Sequence, residues 1–135
     1  MEPGLPEGRH PPAMPGNVLI VEDDGLIALD FEDIVRASGV PVVRVAARVA
    51  QALDMIDDSR PDFAFLNVAL AGDERSFAIA ERLAGYGVPF AFVTGAPARL
   101  LPAAFIGRPM LNKPYSADAI RAQLLAWKDP FPGRD

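Results

Sequence analysis

At 135 residues the chain has one domain's worth of sequence, and half of it is hydrophobic, enough to fill a core. A net charge of −5 argues against an electrostatic grip on nucleic acid, and the absence of cysteine excludes disulfides and thiolate chemistry. No apolar run reaches the roughly 18 residues of a membrane span and no signal-peptide pattern opens the chain, so a soluble, cytoplasmic protein is expected.

Residues 1–16 read as a disordered tail, because five of the first fifteen positions are proline and no apolar period runs through them. The only histidine, His10, falls there and reads as a solvated tail residue. A single folded domain is expected over 17–128, with 129–135 a second short tail. The apolar run at 18–21 has the signature of a strand covered on both faces. Asp24 can cap a helix that places Ile27, Phe31, Ile34 and Ser38 at helical spacing, with Gly39 as its stop. "VVRVAA" is the next strand, and Val49, Leu53 and Ile56 mark a second helix closed by "SRP" before Asp62. "FAFLNV" is the third strand, interrupted near its end by Asn67. Phe77, Ala80, Leu83 and Ala84 share one face of a third helix, ended around "GYG". "PFAFVT" is the fourth strand, "PARLLPAAF" a short fourth helix and "PMLN" the fifth strand. Ser116 caps a last helix, with Asp118 in its first turn and Ile120, Leu124 and Trp127 on its buried stripe.

Strands and helices that alternate with short connections imply a parallel sheet with right-handed crossovers and helices on both faces. Arg44 charges the second strand and Pro109, which cannot donate to a ladder, opens the fifth, so both are edge strands. The expected fold is a flavodoxin-like (βα)5 doubly wound sheet in order 2-1-3-4-5, with its ligand edge beyond the carboxyl ends of the strands. Glu22, Asp23 and Asp24 follow strand one, Asn67 ends strand three, Thr94 ends strand four and Lys113 ends strand five. Taken singly, these residues are a helix cap, a strand threonine and a solvated lysine. The expected fold brings all of them to one rim.

The set "VLIVEDD", "PDFAFLNVAL", "FVTGA" and "LNKPY" resembles, in order and from Asn17 to Trp127, the receiver domain of two-component response regulators. The resemblance implies that Glu22 and Asp23 are the acidic pair that holds Mg²⁺, completed by residue 67 and the backbone carbonyl of Ala69. It puts Asn67 at the phosphoacceptor position, Thr94 as the hydroxyl that follows the phosphoryl group and Lys113 as the lysine that pairs with it. It implies a cis Lys113–Pro114 peptide. A hard divalent cation with oxygen ligands suits attack of one anion on another, and a hydroxyl and an ammonium can stabilise the transferred group.

Two residues depart from the family's pattern. Asn67 nearly matches aspartate in shape but has no anionic oxygen with which to form an acyl phosphate, and it removes one charge from the cation site, so Mg²⁺ binding is expected to be weakened. Met110 stands where many receivers carry a switching aromatic, and methionine cannot repeat its contacts. "FVTG" partly matches the Phe-Ala-Thr-Gly signature of stand-alone receivers that partner HWE-type histidine kinases, Val93 and Pro97 being the differences.

The expected function is therefore a single-domain receiver acting through contacts with a histidine kinase, a phosphotransfer protein or another signalling protein, or through a homodimer. Only "KDPFPGRD" follows Trp127, which leaves no room for an output domain. The alternative is a pseudo-receiver, a binding module that is never phosphorylated. An enzyme on the same fold is set aside. A flavin phosphate would be repelled by "EDDG", and a dehalogenase-like phosphatase needs Asp-x-Asp where Gly25 follows Asp24.

Overall fold

Five short apolar runs build the sheet of the computed structural model: Asn17–Val21 (β1), Val42–Ala46 (β2), Phe63–Asn67 (β3), Phe90–Thr94 (β4) and Met110–Asn112 (β5). They are all parallel and lie in the order β2-β1-β3-β4-β5, as the edge marks in the sequence imply. Four α-helices cover them: Gly25–Ala37 (α1), Val49–Asp58 (α2), Phe77–Gly85 (α3) and Ala117–Leu125 (α4). The structure describes residues 13–128. His10, residues 1–12 of the tail expected over 1–16, and the tail expected over 129–135 lie outside the described residues.

Side chains alternate across the sheet with the strand period of two, and each face has its own core. Leu19, Val21, Leu66, Phe90 and Phe92 face α2 and α3, against Ile56, Ile79 and Leu83. Val18, Ile20, Phe63, Phe65 and Val93 face α1 and α4, against Phe31, Val35, Ile120 and Leu124. The central strands are buried on both sides, which is why they read as unbroken apolar runs. No described helix is long and apolar enough to cross a membrane.

Asp24 caps α1 as expected, its Oδ1 accepting from the backbone N–H of Leu26 at 3.0 Å and of Ile27 at 3.1 Å. Asp24→Ala is expected to cost about 1 kcal/mol in urea denaturation, the usual worth of an N-cap. Gly39 supplies the left-handed stop, with φ 109°. The Ser116 hydroxyl accepts from Ala119 N–H at 3.1 Å and so begins α4. Arg44, the charged edge residue, donates to the carbonyls of Met55 at 3.1 Å and Ser59 at 2.6 Å, tying β2 to the end of α2.

Three expectations need correction. The fourth helix does not form. Residues 97–106 instead make two 3₁₀ turns, Ala98–Leu100 and Ala103–Phe105, because Pro102 between them is extended and has no N–H to continue a helix. The buried stripe of α1 is Ala28, Phe31 and Val35, while Ile27 is exposed and Ser38 caps the helix end through a 2.8 Å bond to the Ile34 carbonyl. Phe31 sets that rotation by packing edge-on to Phe65, their centroids 4.8 Å apart. The folded region also begins before Asn17. Pro15 is buried, Met14 packs on the core, and Gly16 bonds Asp62 and Val42.

Candidate functional site

β1 and β3 are neighbours, so the residues that end them meet at the switch point of the sheet. Glu22 and Asn67 are both buried there, each 7 % exposed, and Thr94 on the adjoining strand is equally buried. Asp23 and Lys113 are exposed at the same rim. The Asn67 side-chain N–H donates to the Ala69 carbonyl at 2.9 Å and to Glu22 Oε2 at 3.4 Å. Glu22 Oε2 also accepts from Asp24 N–H at 3.0 Å. Thr94 Oγ1 accepts from Ala96 N–H at 3.0 Å, and the Thr94 carbonyl accepts from Lys113 N–H at 2.9 Å. The Lys113–Pro114 peptide is cis.

The fold thus brings together every residue that the sequence assigned to the rim. It adds Tyr115, which packs edge-on to Phe31 at 5.5 Å and whose hydroxyl is pushed up by burial and by the carboxylates of Glu22 and Asp30. Tyr115 follows directly on Lys113–Pro114, and that adjacency was its signal in the sequence. Met110 turns its side chain toward the α2–α3 face and packs on that core.

Burial raises the Glu22 carboxyl above its ordinary value and Asp23 adds to the rise, against the Asp24 N–H and the charge of Lys113. The folded protein therefore holds this proton more tightly than the unfolded chain does. That contribution to stability is fully present below the ordinary range near 4.5 and is lost as pH rises through the folded value. Glu22→Gln keeps an acceptor for Asp24 and Asn67 without the buried charge. It is expected to raise the melting temperature by a few degrees at pH 7, with the gain closing as pH falls toward the carboxylate range.

Glu22, Asp23 and the Ala69 carbonyl offer the oxygen atoms a hard cation prefers. Asn67 does not complete them, because it turns its NH₂ toward Glu22 and Ala69. The reverse orientation would set the amide oxygen against a carboxylate and a carbonyl. The two amide hydrogens occupy the acceptors that a cation would otherwise face, so in this orientation the set is one ligand and one charge short for a divalent cation. No group of three or more His, Cys, Asp or Glu suited to a metal occurs among the described residues. Glu22 and Asn67 also line a void of about 10 Å³, space for at most about one water.

A doubly wound sheet with an acidic rim at its switch point is a framework that serves many functions, and likeness to known proteins narrows it. SdrG from Sphingomonas melonis Fr1 is 38 % identical, with a TM-score of 0.72 over 85 % of this chain and 96 % of that one. The PhyR response regulator receiver domain of Erythrobacter litoralis is 29 % identical, with a TM-score of 0.72 over 82 % of this chain and 87 % of that one. The phyllosphere-induced regulator PhyR of Methylorubrum extorquens is 32 % identical over 120 residues, 83 % of this chain. The chain spans 44 % of the length of that curated relative. No family model matches. The chain belongs to the response regulator receiver family.

Proposed function

We propose that this chain is a receiver of the stand-alone kind in two-component phosphorelay signalling, with Asn67 at the phosphoacceptor position and its output carried by protein contacts. The observation that carries the receiver reading is the rim where Glu22, Asn67 and Thr94 are buried at the ends of neighbouring strands, and the Asn67 amide, whose N–H groups bond Glu22 and the Ala69 carbonyl, sets its chemistry. Attack on phosphorus needs an anionic oxygen, and at this position there is none. The Thr94 hydroxyl accepts from Ala96 and so keeps its own hydrogen for donation. It and Lys113 are the groups that would meet a phosphoryl oxygen.

Relatives point to the kind of partner. One PhyR is described as a stress response regulator and another, from Bartonella quintana, as an anti-anti-sigma factor. We take the partner of this chain to be a protein of such a pathway: a histidine kinase, a phosphotransfer protein or another signalling protein. The second reading is a phosphorylation-independent pseudo-receiver. It is favoured by the same amide, which closes the rim without Mg²⁺.

SdrG has a BeF₃-activated conformation. Adding Mg²⁺ and beryllofluoride to this chain is expected to leave its amide NMR spectrum unchanged. Shifts centred on residues 67, 94 and 113 would show that the rim still binds a cation and a phosphoryl mimic, and would overturn the reading of Asn67 as a block at the phosphoacceptor position.

A further inference from the structure

The Ala69 carbonyl lies in a loop, where an oxygen would ordinarily be held loosely. Here its peptide is pinned from both sides. The Ala69 carbonyl accepts from Asn67, and the N–H of the same planar peptide, that of Leu70, donates to the Glu74 carbonyl at 2.9 Å. Loop residues 68–76 close on themselves through Ser76 N–H to the Val68 carbonyl at 3.1 Å and an antiparallel bridge between Ala69 and Arg75. The reversal is made by two consecutive left-handed residues, Gly72 at φ 69° and Asp73 at φ 63°.

Glu74 is then fastened to a different element. Its Oε1 accepts from Arg48 Nε at 3.1 Å and from Val49 N–H at 3.2 Å, and its Oε2 from Arg48 Nη2 at 3.0 Å. Arg48 is the N-cap residue of α2 and makes no side-chain cap bond of its own. The carboxylate that satisfies this helix start comes instead from the loop beside the rim, where it also meets the positive end of the helix. Arg48 and the Val49 N–H hold the Glu74 carboxyl below its ordinary value.

We propose that Glu74, clamped by Arg48 and the first N–H of α2, is the positioning residue that fixes the orientation of the Ala69 carbonyl at the rim. This deepens the reading of the rim as the signalling site and rests on it. Released from α2, Glu74 no longer holds the Leu70 N–H in place, and the carbonyl on the other edge of that peptide turns away from residue 67. The start of α2 and the rim are thus joined through one side chain.

The test needs no cation, because the Asn67 side-chain amide reports where the Ala69 carbonyl is. In the protein as it stands, Glu74→Ala is expected to speed hydrogen exchange of the Asn67 side-chain NH₂ by about threefold or more. Glu74→Gln, which keeps the acceptor for Val49, is expected to fall between. Arg82→Ala serves as the control, because it breaks the ion pair of Arg82 with Asp57 between α3 and α2. It should leave the Asn67 exchange rate alone even where it lowers the melting temperature. The charge-reversed pair Arg48→Glu with Glu74→Arg should recover part of the protection. Unchanged exchange in Glu74→Ala, or an equal change in Arg82→Ala, overturns the proposal.

A second arm separates this inference from the reading beneath it. In an Asn67→Asp background, adding Glu74→Ala is expected to weaken Mg²⁺ binding about threefold or more in calorimetry. If Asn67→Asp binds no Mg²⁺ while Glu74→Ala still frees the Asn67 amide, the positioning role stands and the cation reading falls. If Asn67→Asp binds Mg²⁺ equally well with and without Glu74, the positioning role falls and the cation reading stands.

Discussion

Asn67→Asp is expected to turn an inert rim into one that takes a phosphoryl group from acetyl phosphate in the presence of Mg²⁺. Intact mass should rise by about 80 Da, the increment of one phosphoryl group, and the unsubstituted protein should show no increment. The carboxylate oxygen would attack phosphorus and release acetate, with Thr94 and Lys113 placed to offset charge on the transferred group. The same substitution removes the two N–H groups that now bond Glu22 and the Ala69 carbonyl. Without a cation the new carboxylate faces Glu22, and one pair of unit charges about 4 Å apart is worth roughly 4 kcal/mol at an effective dielectric near 20. The metal-free variant should therefore melt below the parent, and millimolar Mg²⁺ should restore it, because a ligand that binds only the folded state stabilises it. The melting temperature of the parent should not respond to Mg²⁺. A variant that stays unlabelled under conditions that label ordinary receivers would leave the pseudo-receiver reading standing.

Phe92→Ala is expected to cost about 3–5 kcal/mol, a large share of the roughly 5–15 kcal/mol that holds a domain folded. Phe92 is fully buried on β4, and its ring lies 5.3 Å from Phe90, 5.5 Å from Phe105 and 6.0 Å from Phe77. These partners come from the same strand, from the helix-less crossover and from α3, so truncation opens a cavity no single element can close. Urea denaturation should show the midpoint drop. Leu26→Ala, on a side chain 81 % exposed, should stay within about 0.5 kcal/mol. A Phe92→Ala variant as stable as Leu26→Ala would contradict the packing described here.

The strands and their order were legible because a strand buried on both faces leaves an unbroken apolar run, and because Arg44 and Pro109 mark the edges. The rim was legible for a related reason: a parallel sheet sends the carboxyl end of every strand to one side. Helix rotation was less so. Ile27 and Ile34 fit helical spacing as well as Ala28 and Val35 do, and only the fit of Phe31 against Phe65 decides between them. The apolar residues of 97–105 suggest a helix by content alone, and Pro102 forbids one. Glu74 gave no signal in the sequence, since its partners Arg48 and Val49 lie about 25 positions away and meet it only when α2 and the loop fold side by side.

The crossover from β4 to β5 has a mechanical consequence. A helix there would act as a rod whose hydrogen bonds yield together. These two turns close on separate bonds, Leu101 N–H to the Ala98 carbonyl and Phe105 N–H to the Pro102 carbonyl, with an extended proline as the joint between them. Leu101 and Phe105 are buried and act as pegs, while Leu100 and Ile106 beside them are exposed. A displacement that starts at Thr94 meets a jointed linkage. The crossover shares no continuous hydrogen-bond ladder, so β4 and β5 are coupled through the sheet itself, by the Lys113 N–H to the Thr94 carbonyl, and not through the chain that joins them.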